Sequence, residues 1–353
     1  MTALKSSHHI TSPINVPEVN HDLDEIHVTL GVYDPTGKYS QHAGVVMTSI
    51  FENTHNPVTV HILHDETLTE DNKNKFIRTA EKYNQKIDLI DVRERVKKLP
   101  KHVINFFREQ YSSLGTFYRF FIFDLLKFDK IIYLDCDIVV NLDIKELWQI
   151  DIKNYCLAAI LDKPLQSTPK FSQYAIGFKM YNMDIASYFN AGVIVFNLSE
   201  IRKLNLNIIE EATKYFKRYS HILSFSDQDF LNAFFHDSVK LIDEKFNKFN
   251  RFLPVTDEEA QNIIMHTTPY EFRGWAMHGK IYQKYYWLNY LKSAWGENKS
   301  PAEMVEILTE AANIPQKIQY SKFMSIYTRS IKHIKGIFKL LTAELKYRIT
   351  HKN

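Results

Sequence analysis

Two aspartates separated by one residue, Asp135 and Asp137, directly follow the apolar run 130–134, Lys-Ile-Ile-Tyr-Leu. The β-branched residues of this run indicate a buried strand, and side chains two positions apart on an extended chain point the same way. Two carboxylates at the end of a strand can hold a divalent cation on hard oxygen ligands. In an open α/β sheet, strand ends are also where ligands bind. The ordinary alternative is a solvated aspartate pair in a turn.

Three other segments carry residues suited to chemistry. Acid and amide groups at 226–232, Ser-Asp-Gln-Asp-Phe-Leu-Asn, precede an apolar run and either cap a helix or bind a ligand. The small residues within 188–192, Tyr-Phe-Asn-Ala-Gly, allow a close backbone approach to a ligand or mark a strand bulge. His266 follows an apolar run, where a structural role is common; with the two aspartates it would complete an O,O,N donor set that suits Mn²⁺.

An alternation of strands and helices leads up to the acid pair. It predicts βαβ units and a mostly parallel, doubly wound (Rossmann-like) α/β sheet, whose nearly continuous apolar strands are covered on both faces. The predicted strands are 26–32, 58–63, 87–92, 130–134, 156–161 and 189–197, and the predicted helices are 43–52, 69–83, 117–126, 199–219 and 227–235.

Composition limits the class of protein. The chain has 353 residues, 45% of them hydrophobic, as in ordinary globular proteins, and a net charge of only +3 that does not call for a nucleic-acid partner. With two cysteines, Cys136 and Cys156, a disulfide scaffold is excluded, and a cytoplasmic location is expected. Cys136 should point away from its acidic neighbours. No secretory signal and no window near ~20 apolar residues is visible.

Three regions are predicted along the chain: a flexible N-terminal segment 1–24, a catalytic domain 25–276 and a helical C-terminal extension 277–353. From Pro315 the extension is basic, and its apolar residues recur at helical spacing. Such a helix can lie on an anionic membrane surface, which would make the protein peripheral at the inner face of the membrane. The alternative is a helix that packs on the domain with a solvated basic face.

The order of these motifs resembles glycosyltransferase family 8. The segments are 133–140, Tyr-Leu-Asp-Cys-Asp-Ile-Val-Val, then 189–193, Phe-Asn-Ala-Gly-Val, then 227–232, Asp-Gln-Asp-Phe-Leu-Asn, and finally His266 with Trp275. The family comprises retaining enzymes that use nucleotide sugars, among them bacterial lipopolysaccharide galactosyl- and glucosyltransferases and the glycogenins. The resemblance covers about 26–275 and implies the GT-A fold, with the acceptor site built onto the nucleotide-binding domain.

The resemblance also implies a metal site and substrates. Asp135, Asp137 and His266 correspond to the metal ligands, and the metal, Mn²⁺ with Mg²⁺ as an alternative, would bridge the two phosphates of a UDP-sugar. The reaction implied is transfer of glucose or galactose to a glycan, glycolipid or glycoprotein acceptor.

Further positions match the donor site of the family. Arg119 would contact donor phosphate or sugar. The residues that would hold the donor sugar are Asp162, Asn190, Asp227 and Gln228. Gln228 would lie near the β-face of the anomeric carbon, and because an amide is a poor nucleophile, front-face attack by the acceptor is favoured. The remaining donor contacts implied are Val32, Tyr33, Asp34, Tyr39, Cys136, Ala191 and Arg273, the last in place of a family lysine.

Two other functions fit part of the pattern. An apolar strand followed by Asp-x-Asp also resembles haloacid dehalogenase-like phosphohydrolases, in which the first aspartate, here Asp135, is a nucleophile. Their motif lies near the start of the domain, whereas three βα units precede Asp135 here. A catalytically silent glycan-binding protein is the other alternative, and the presence of all three candidate metal ligands disfavours it.

Overall fold

The computed structural model describes residues 17–21, 24–111, 113–166, 173–180, 183–249, 256–267, 274–313 and 322–350. The strands are β1 Ile26–Val32, β2 Val58–His64, β3 Lys86–Asp91, β4 Lys130–Leu134, β5 Ile138–Asn141, β6 Leu157–Leu161, β7 Phe189–Asn197, β8 Val239–Leu241, β9 Lys248–Phe249 and β10 Ile263–His266. The helices are α1 Ser40–Phe51, α2 Glu70–Lys82, α3 Arg93–Val96, α4 Lys101–Tyr111, α5 Ile122–Leu125, α6 Lys145–Trp148, α7 Lys163–Gln166, α8 Gln173–Met180, α9 Leu198–Lys203, α10 Ile208–Tyr219, α11 Asp227–Phe235, α12 Ile281–Lys292, α13 Pro301–Ala312 and α14 Lys322–Thr350. Short 3₁₀ helices cover Gly115–Phe121, His236–Ser238 and Glu244–Asn247.

Seven strands form the central sheet, in the order β3-β2-β1-β4-β7-β6-β8. The first four are parallel, and β7 runs antiparallel to both of its neighbours. Alternate residues of β4 pack in different core clusters, Ile132 and Leu134 in one and Ile131 and Tyr133 in the other. The sheet is therefore mostly parallel and covered on both faces, which confirms the predicted α/β class.

A second sheet of three strands, in the order β5-β10-β9, joins the acid pair to His266. β5 begins directly after Asp137 and pairs antiparallel with β10, with Ile138 opposite His266. Thr267 continues this contact, since its backbone N–H donates to the Asp137 carbonyl at 3.0 Å. This register places a histidine 129 positions further along the chain beside the acids.

Two predicted helices differ from the structure. The segment predicted as a helix over 117–126 is a 3₁₀ helix, Gly115–Phe121, followed by the single turn of α5. The helix predicted over 199–219 is divided into α9 and α10. Asn205 has a positive φ of 52°, and the Asn207 side chain caps α10 by accepting from the Glu210 N–H. Asparagine tolerates the left-handed conformation and is a good N-cap, which explains the break.

The helix after the predicted boundary at 276 packs in the core of the domain. α12 lies on α1, and the Trp295 ring crosses Gly44 so closely that a Cβ atom there would be 2.3 Å from a ring carbon. The Trp295 indole donates to Asn72 Oδ1 at 3.0 Å. The Met277 N–H donates to the Ala311 carbonyl at 3.2 Å, which holds α13 to the same region. The boundary itself stays a prediction.

The last helix, α14, packs with one face on the domain and leaves another open. Glu344 lies 2.8 Å from His221 Nε2, and the Tyr347 ring stacks on the His221 imidazole. The exposed face carries four large apolar side chains, which are Phe338, Leu341, Leu345 and Ile349.

Within the described ranges, every helix is too short or too polar to cross a membrane.

Of the N-terminal segment predicted to be flexible, residues 1–16, 22 and 23 lie outside the described residues. In the described part, the Asn20 N–H donates to the His55 carbonyl at 2.8 Å.

Candidate active site

A cavity of about 750 Å³ opens at the carboxyl ends of β1 and β4. It brings together most of the residues singled out in the sequence. The predicted residues that line it are Tyr33, Tyr39, Arg119, Asp135, Cys136, Asp137, Asp162, Asn190, Ala191, Asp227, Gln228 and His266. Val32 is buried, Asp34 points elsewhere, and Arg273 lies outside the described residues.

The two acids are held in place by their backbones. The Asp135 N–H donates to the Gly192 carbonyl at 2.9 Å, and the Asp137 carbonyl accepts from the Thr267 hydroxyl at 2.8 Å. This short loop is therefore fixed between β7 and β10. Cys136 between the acids is buried, with its thiol 3.5 Å from the Gly31 carbonyl, and burial raises the pKa of that thiol.

His266 faces both carboxylates. Its Nε2 lies 3.2 Å from Asp137 Oδ1 and 4.0 Å from Asp135 Oδ2, and one ligand atom from each residue falls within 4.8 Å of the others. Burial lowers the pKa of His266 below its usual value, which favours the neutral imidazole. Two carboxylate oxygens and one ring nitrogen at these distances form an O,O,N donor set. The donor chemistry therefore fits a divalent metal ion.

Gly192 allows this approach. A Cβ atom at this position would lie 2.3 Å from His266 Cε1 and 3.0 Å from Asp135 Oδ2. The glycine is thus required by the packing of the imidazole. The alternative of a strand irregularity is also present here, because β7 shifts register against β6 between Asn190 and Ile194.

Arg119 is a buried cation behind the acid pair. It is 3% exposed, donates to the Ala191 carbonyl at 2.7 Å and to Asp135 Oδ1 at 2.9 Å, and lies 3.1 Å from Asp227 Oδ2. Its guanidinium also stacks over the Tyr133 ring. Burial raises the pKa of Asp227 to about 7, against the opposing effect of Arg119. The arginine offsets the charge of two carboxylates and orients Asp135.

Asp162, Asn190 and Gln228 form a hydrogen-bonded wall of the cavity. Asp162 Oδ2 accepts from Asn190 Nδ2 at 3.2 Å and from Gln228 Nε2 at 3.1 Å. Gln228 Oε1 accepts from Asn190 Nδ2 at 3.0 Å and from the Ala191 N–H at 2.9 Å. Burial raises the pKa of Asp162. Each side chain is held by at least two partners, so the wall has a fixed arrangement.

At the start of α11, Ser226 makes no side-chain cap hydrogen bond, so the helix-capping interpretation of the segment 226–232 is not supported. Asp227 begins the helix and faces the cavity, whereas Asp229 points away from it. Asp229 accepts from the Tyr188 hydroxyl at 2.6 Å and from the N–H groups of Ser224 and Phe225 at 2.8 Å each. The first acid belongs to the site, and the second holds the loop before the helix.

At the other end of the cavity, Asp34 has a structural role. Its carboxylate accepts from the N–H groups of Tyr39 and Ser40 at 2.8 Å each and from the Ser40 hydroxyl at 2.6 Å. It also accepts from Asn72 Nδ2 at 3.2 Å. These contacts fix the loop that enters α1, while the flanking tyrosines Tyr33 and Tyr39 line the cavity.

Asn247 is a buried residue of this region that the sequence reasoning missed. Its Oδ1 lies 2.9 Å from His266 Nδ1, and its Nδ2 lies 2.9 Å from Asn190 Oδ1. A single asparagine before a two-residue strand carries no sequence signal. Only the pairing of β9 with β10 brings it beside the histidine.

Comparison with known proteins points to one family. The sequence profile of glycosyl transferase family 8 matches residues 32–268, more than half of the chain. A putative glycosyltransferase of Haemophilus influenzae is 31% identical over 211 residues, 59% of this chain and 60% of that protein. A lipopolysaccharide 1,2-glucosyltransferase of Escherichia coli is 30% identical over 220 residues, 59% of each chain. The match thus spans less than two thirds of either relative.

Solved structures agree on the fold. A galactosyltransferase, LgtC, in complex with donor and acceptor sugar analogues aligns with a TM-score of 0.61 at 20% identity, over 81% of this chain and all of that one. The bifunctional glycosyltransferase WbbM aligns with a TM-score of 0.61 at 21% identity, over 83% of this chain and 53% of that one. This similarity shows the fold alone and confirms the predicted GT-A fold. The chain belongs to glycosyl transferase family 8.

Proposed function

We propose that the protein transfers a hexose, glucose or galactose, from a UDP-sugar to a glycan, glycolipid or glycoprotein acceptor with retention of configuration. One observation carries the proposal. Asp135, Asp137 and His266 converge beside the wall of Asp162 and Gln228 within one cavity. A cation-binding triad next to a polar pocket is what a diphosphate leaving group joined to a sugar requires.

Asp135, Asp137 and His266 would hold the metal ion. Two carboxylates and an imidazole suit Mn²⁺ better than Mg²⁺, which prefers oxygen ligands and retained water. When bound, the ion would supply Lewis-acid compensation for the charge of the departing UDP.

The chain's own residues would act on the sugar through charge and position. Asp162 is buried beside Gln228, so its negative charge would favour an oxocarbenium-like state at the anomeric carbon. Gln228 holds Asp162 and the backbone of Ala191, and its amide is a poor nucleophile. These contacts favour front-face attack. The acceptor hydroxyl forms the new glycosidic bond as the bond to UDP breaks, and its proton passes to the departing phosphate oxygen.

Arg119 would act from behind the acids. Because it pairs with Asp135 and Asp227, its main contribution would be to fix Asp135 Oδ1 and leave Oδ2 on the side of His266. A direct contact between Arg119 and the donor stays a prediction, as do the donor contacts of Val32, Asp34 and Arg273.

The names of relatives support the class of sugar. One relative is a lipopolysaccharide 1,2-glucosyltransferase, and another, from Salmonella typhimurium, is a lipopolysaccharide 1,3-galactosyltransferase that is 27% identical over 262 residues. We infer glucose or galactose as the donor sugar and a bacterial, lipopolysaccharide-like glycan as the acceptor. Membership of family 8 also disfavours the phosphohydrolase alternative.

A donor screen tests the proposal. UDP-glucose and UDP-galactose hydrolysis is measured with Mn²⁺ and without acceptor, together with the thermal unfolding midpoint in UDP plus Mn²⁺. We expect one donor to be hydrolysed and UDP plus Mn²⁺ to raise the midpoint, because a ligand that binds the native state stabilises it. Absence of both effects would contradict the proposal.

We also propose that α14 contacts an anionic membrane surface, at the inner face of the membrane of a cytoplasmic protein. Its exposed apolar face, with Phe338, Leu341 and Leu345, is accompanied by Lys339 and Lys346. An apolar stripe beside basic side chains suits such a surface. Deletion of 317–353 should weaken binding to vesicles of anionic lipid while UDP-sugar hydrolysis persists, and unchanged vesicle binding would contradict this part of the proposal.

A further inference from the structure

We propose that Asn247 is a positioning residue that acts on two groups of the site at once, because it fixes the tautomer of His266 and donates a hydrogen bond to the amide oxygen of Asn190. The inference rests on the proposed metal-dependent function. Asn247 does not line the cavity, so it would act through these two neighbours and not by touching substrate.

A backbone donor orients the amide of Asn190. The Gly192 N–H lies 2.8 Å from Asn190 Oδ1. A backbone N–H can only donate, so the oxygen of the Asn190 amide must face it. The Asn190 NH₂ group then faces Asp162 Oδ2 and Gln228 Oε1, both of which accept.

The amide oxygen of Asn190 in turn orients Asn247. Its amide lies 2.9 Å from Asn190 Oδ1, which accepts only, so the NH₂ group of Asn247 must donate there. Oδ1 of Asn247 is thereby turned to His266 Nδ1, also at 2.9 Å. An amide oxygen cannot donate, so Nδ1 carries the hydrogen, and the lone pair of His266 is on Nε2.

That tautomer is the one a metal ion requires, because Nε2 is the ring atom that faces Asp137 at 3.2 Å. Partners that fix the tautomer of a ligating histidine commonly tune metal affinity. Asn247 thus connects the three candidate metal ligands to the hydrogen-bonded wall of Asp162, Asn190 and Gln228, and the direction of each hydrogen bond is fixed.

The position of Asn247 is itself rigid. It is 1% exposed and ends a 3₁₀ helix directly before β9, which pairs with β10 in register Lys248 to Met265. The amide of Asn247 accepts from His266 and donates to Asn190 from the same side chain. Aspartate can do the first, and leucine can do neither.

Two variants of Asn247 separate the two contacts. Mn²⁺ is titrated calorimetrically into the full-length protein with saturating UDP. Asn247→Leu should weaken Mn²⁺ binding by about 10- to 100-fold. Asn247→Asp should keep Mn²⁺ affinity within a few fold, since it still accepts from Nδ1–H. It should nevertheless lower kcat for UDP-sugar hydrolysis, since Asn190 loses its donor.

Asn197 supplies a matched control. It is a buried amide at the far end of β7, where it donates to the Ile152 carbonyl and caps α9. Asn197→Leu should lower the unfolding midpoint but leave Mn²⁺ affinity unchanged. If Asn247→Leu does not fold, Asn247→Ala is measured in its place.

Two results would overturn the inference. One is wild-type Mn²⁺ affinity in folded Asn247→Leu or Asn247→Ala, and the other is equal loss of Mn²⁺ affinity in Asn247→Asp and Asn247→Leu. Failure of the wild-type protein to bind Mn²⁺ would instead contradict the proposed function, so the two failures are distinguishable.

Discussion

Three neighbouring parallel strands, β2, β1 and β4, are each followed within two residues by an aspartate, but these aspartates have different roles. Asp34 after β1 accepts from Tyr39 and Ser40. Asp65 after β2 accepts from the Thr67 hydroxyl and N–H and from the Tyr118 hydroxyl at 2.7 Å. Both carboxylates are occupied by protein donors.

The acids after β4 are arranged differently. Asp135 Oδ1 accepts from Arg119, which also pairs with Asp227, and from the Tyr133 hydroxyl at 2.8 Å, whereas Oδ2 lies on the side of His266. A carboxylate whose two oxygens are filled with donors holds the protein together, whereas carboxylate oxygens that converge with a ring nitrogen form a donor set for a cation. An aspartate at the end of a strand is therefore not sufficient to form a metal site. The groups that its carboxylate contacts determine whether it can bind a cation.

The largest effect is expected at Asp137. Asp137→Asn removes one candidate ligand and should lower Mn²⁺-dependent UDP-sugar hydrolysis by more than ~100-fold, a greater loss than a supporting residue gives. The unfolding midpoint without metal should not fall, because the change relieves repulsion between acids. Full Mn²⁺-dependent turnover in this variant would show that the metal assignment is wrong.

A variant of Asp34 should show the reverse pattern, which is a loss of stability without a loss of Mn²⁺ affinity. Asp34→Ala leaves three N–H or O–H donors at the entry to α1 without their acceptor and should lower the free energy of unfolding by about 2–4 kcal/mol. Mn²⁺ affinity, titrated well below the unfolding temperature, should stay unchanged. Urea unfolding gives the first quantity. A stable Asp34→Ala protein with weakened Mn²⁺ binding would contradict the different roles assigned here to Asp34 and Asp137.

A smaller effect is expected at Gly192. Gly192→Ala places a methyl group against His266 and Asp135, and the shifted imidazole should bind Mn²⁺ about 10- to 100-fold more weakly. Calorimetric titration with UDP present measures this. Gly279→Ala is the control, because a Cβ there meets nothing within 4 Å and the strain from its positive φ of 70° arises away from the cavity. Equal Mn²⁺ affinity in Gly192→Ala and wild type would mean that the histidine is not held as described.

The smallest effect is expected for a pair of histidines on β1 and β2, away from the aspartates that follow these strands. His27 on β1 lies 3.2 Å from His61 on β2, and burial, followed by the charge of His61, lowers the pKa of His27 to about 4. The unfolded chain takes up a proton below ~6.5 and the native state only near 4, so stability is lost as pH falls through this window. Since His27 is half-exposed, we expect a loss of only about 1 kcal/mol.

Urea unfolding at pH 7 and pH 5 checks this prediction. His27→Asn should reduce the difference between the two pH values. An unchanged pH dependence in His27→Asn would contradict the assignment.

Much of the fold could be predicted from local sequence. The bounds of β1, β4 and β7 match the predicted runs, because continuous β-branched residues end at polar ones. The helix over 199–219 was wrong at Asn205, where a single left-handed residue ends α9. The spacing of apolar residues along the sequence does not indicate such a break.

The candidate site was predicted less completely, for a physical reason. The spacing of Asp135 and Asp137 is local and visible in the sequence. Asp34 looks equally suited to bind a ligand, and only its donors show that it does not face the cavity. Asn247 reaches His266 through strand pairing between distant segments, which no local pattern encodes.

The contact between Trp295 and Gly44 has a consequence for shortened forms of the protein. A chain that ended at residue 276 would expose the face of α1 on which Tyr286 and Trp295 pack. Such a fragment would expose an apolar surface during expression and would be prone to precipitate, even though it retains the candidate site. A minimal version for crystallisation or engineering should therefore end no earlier than 313, after α13.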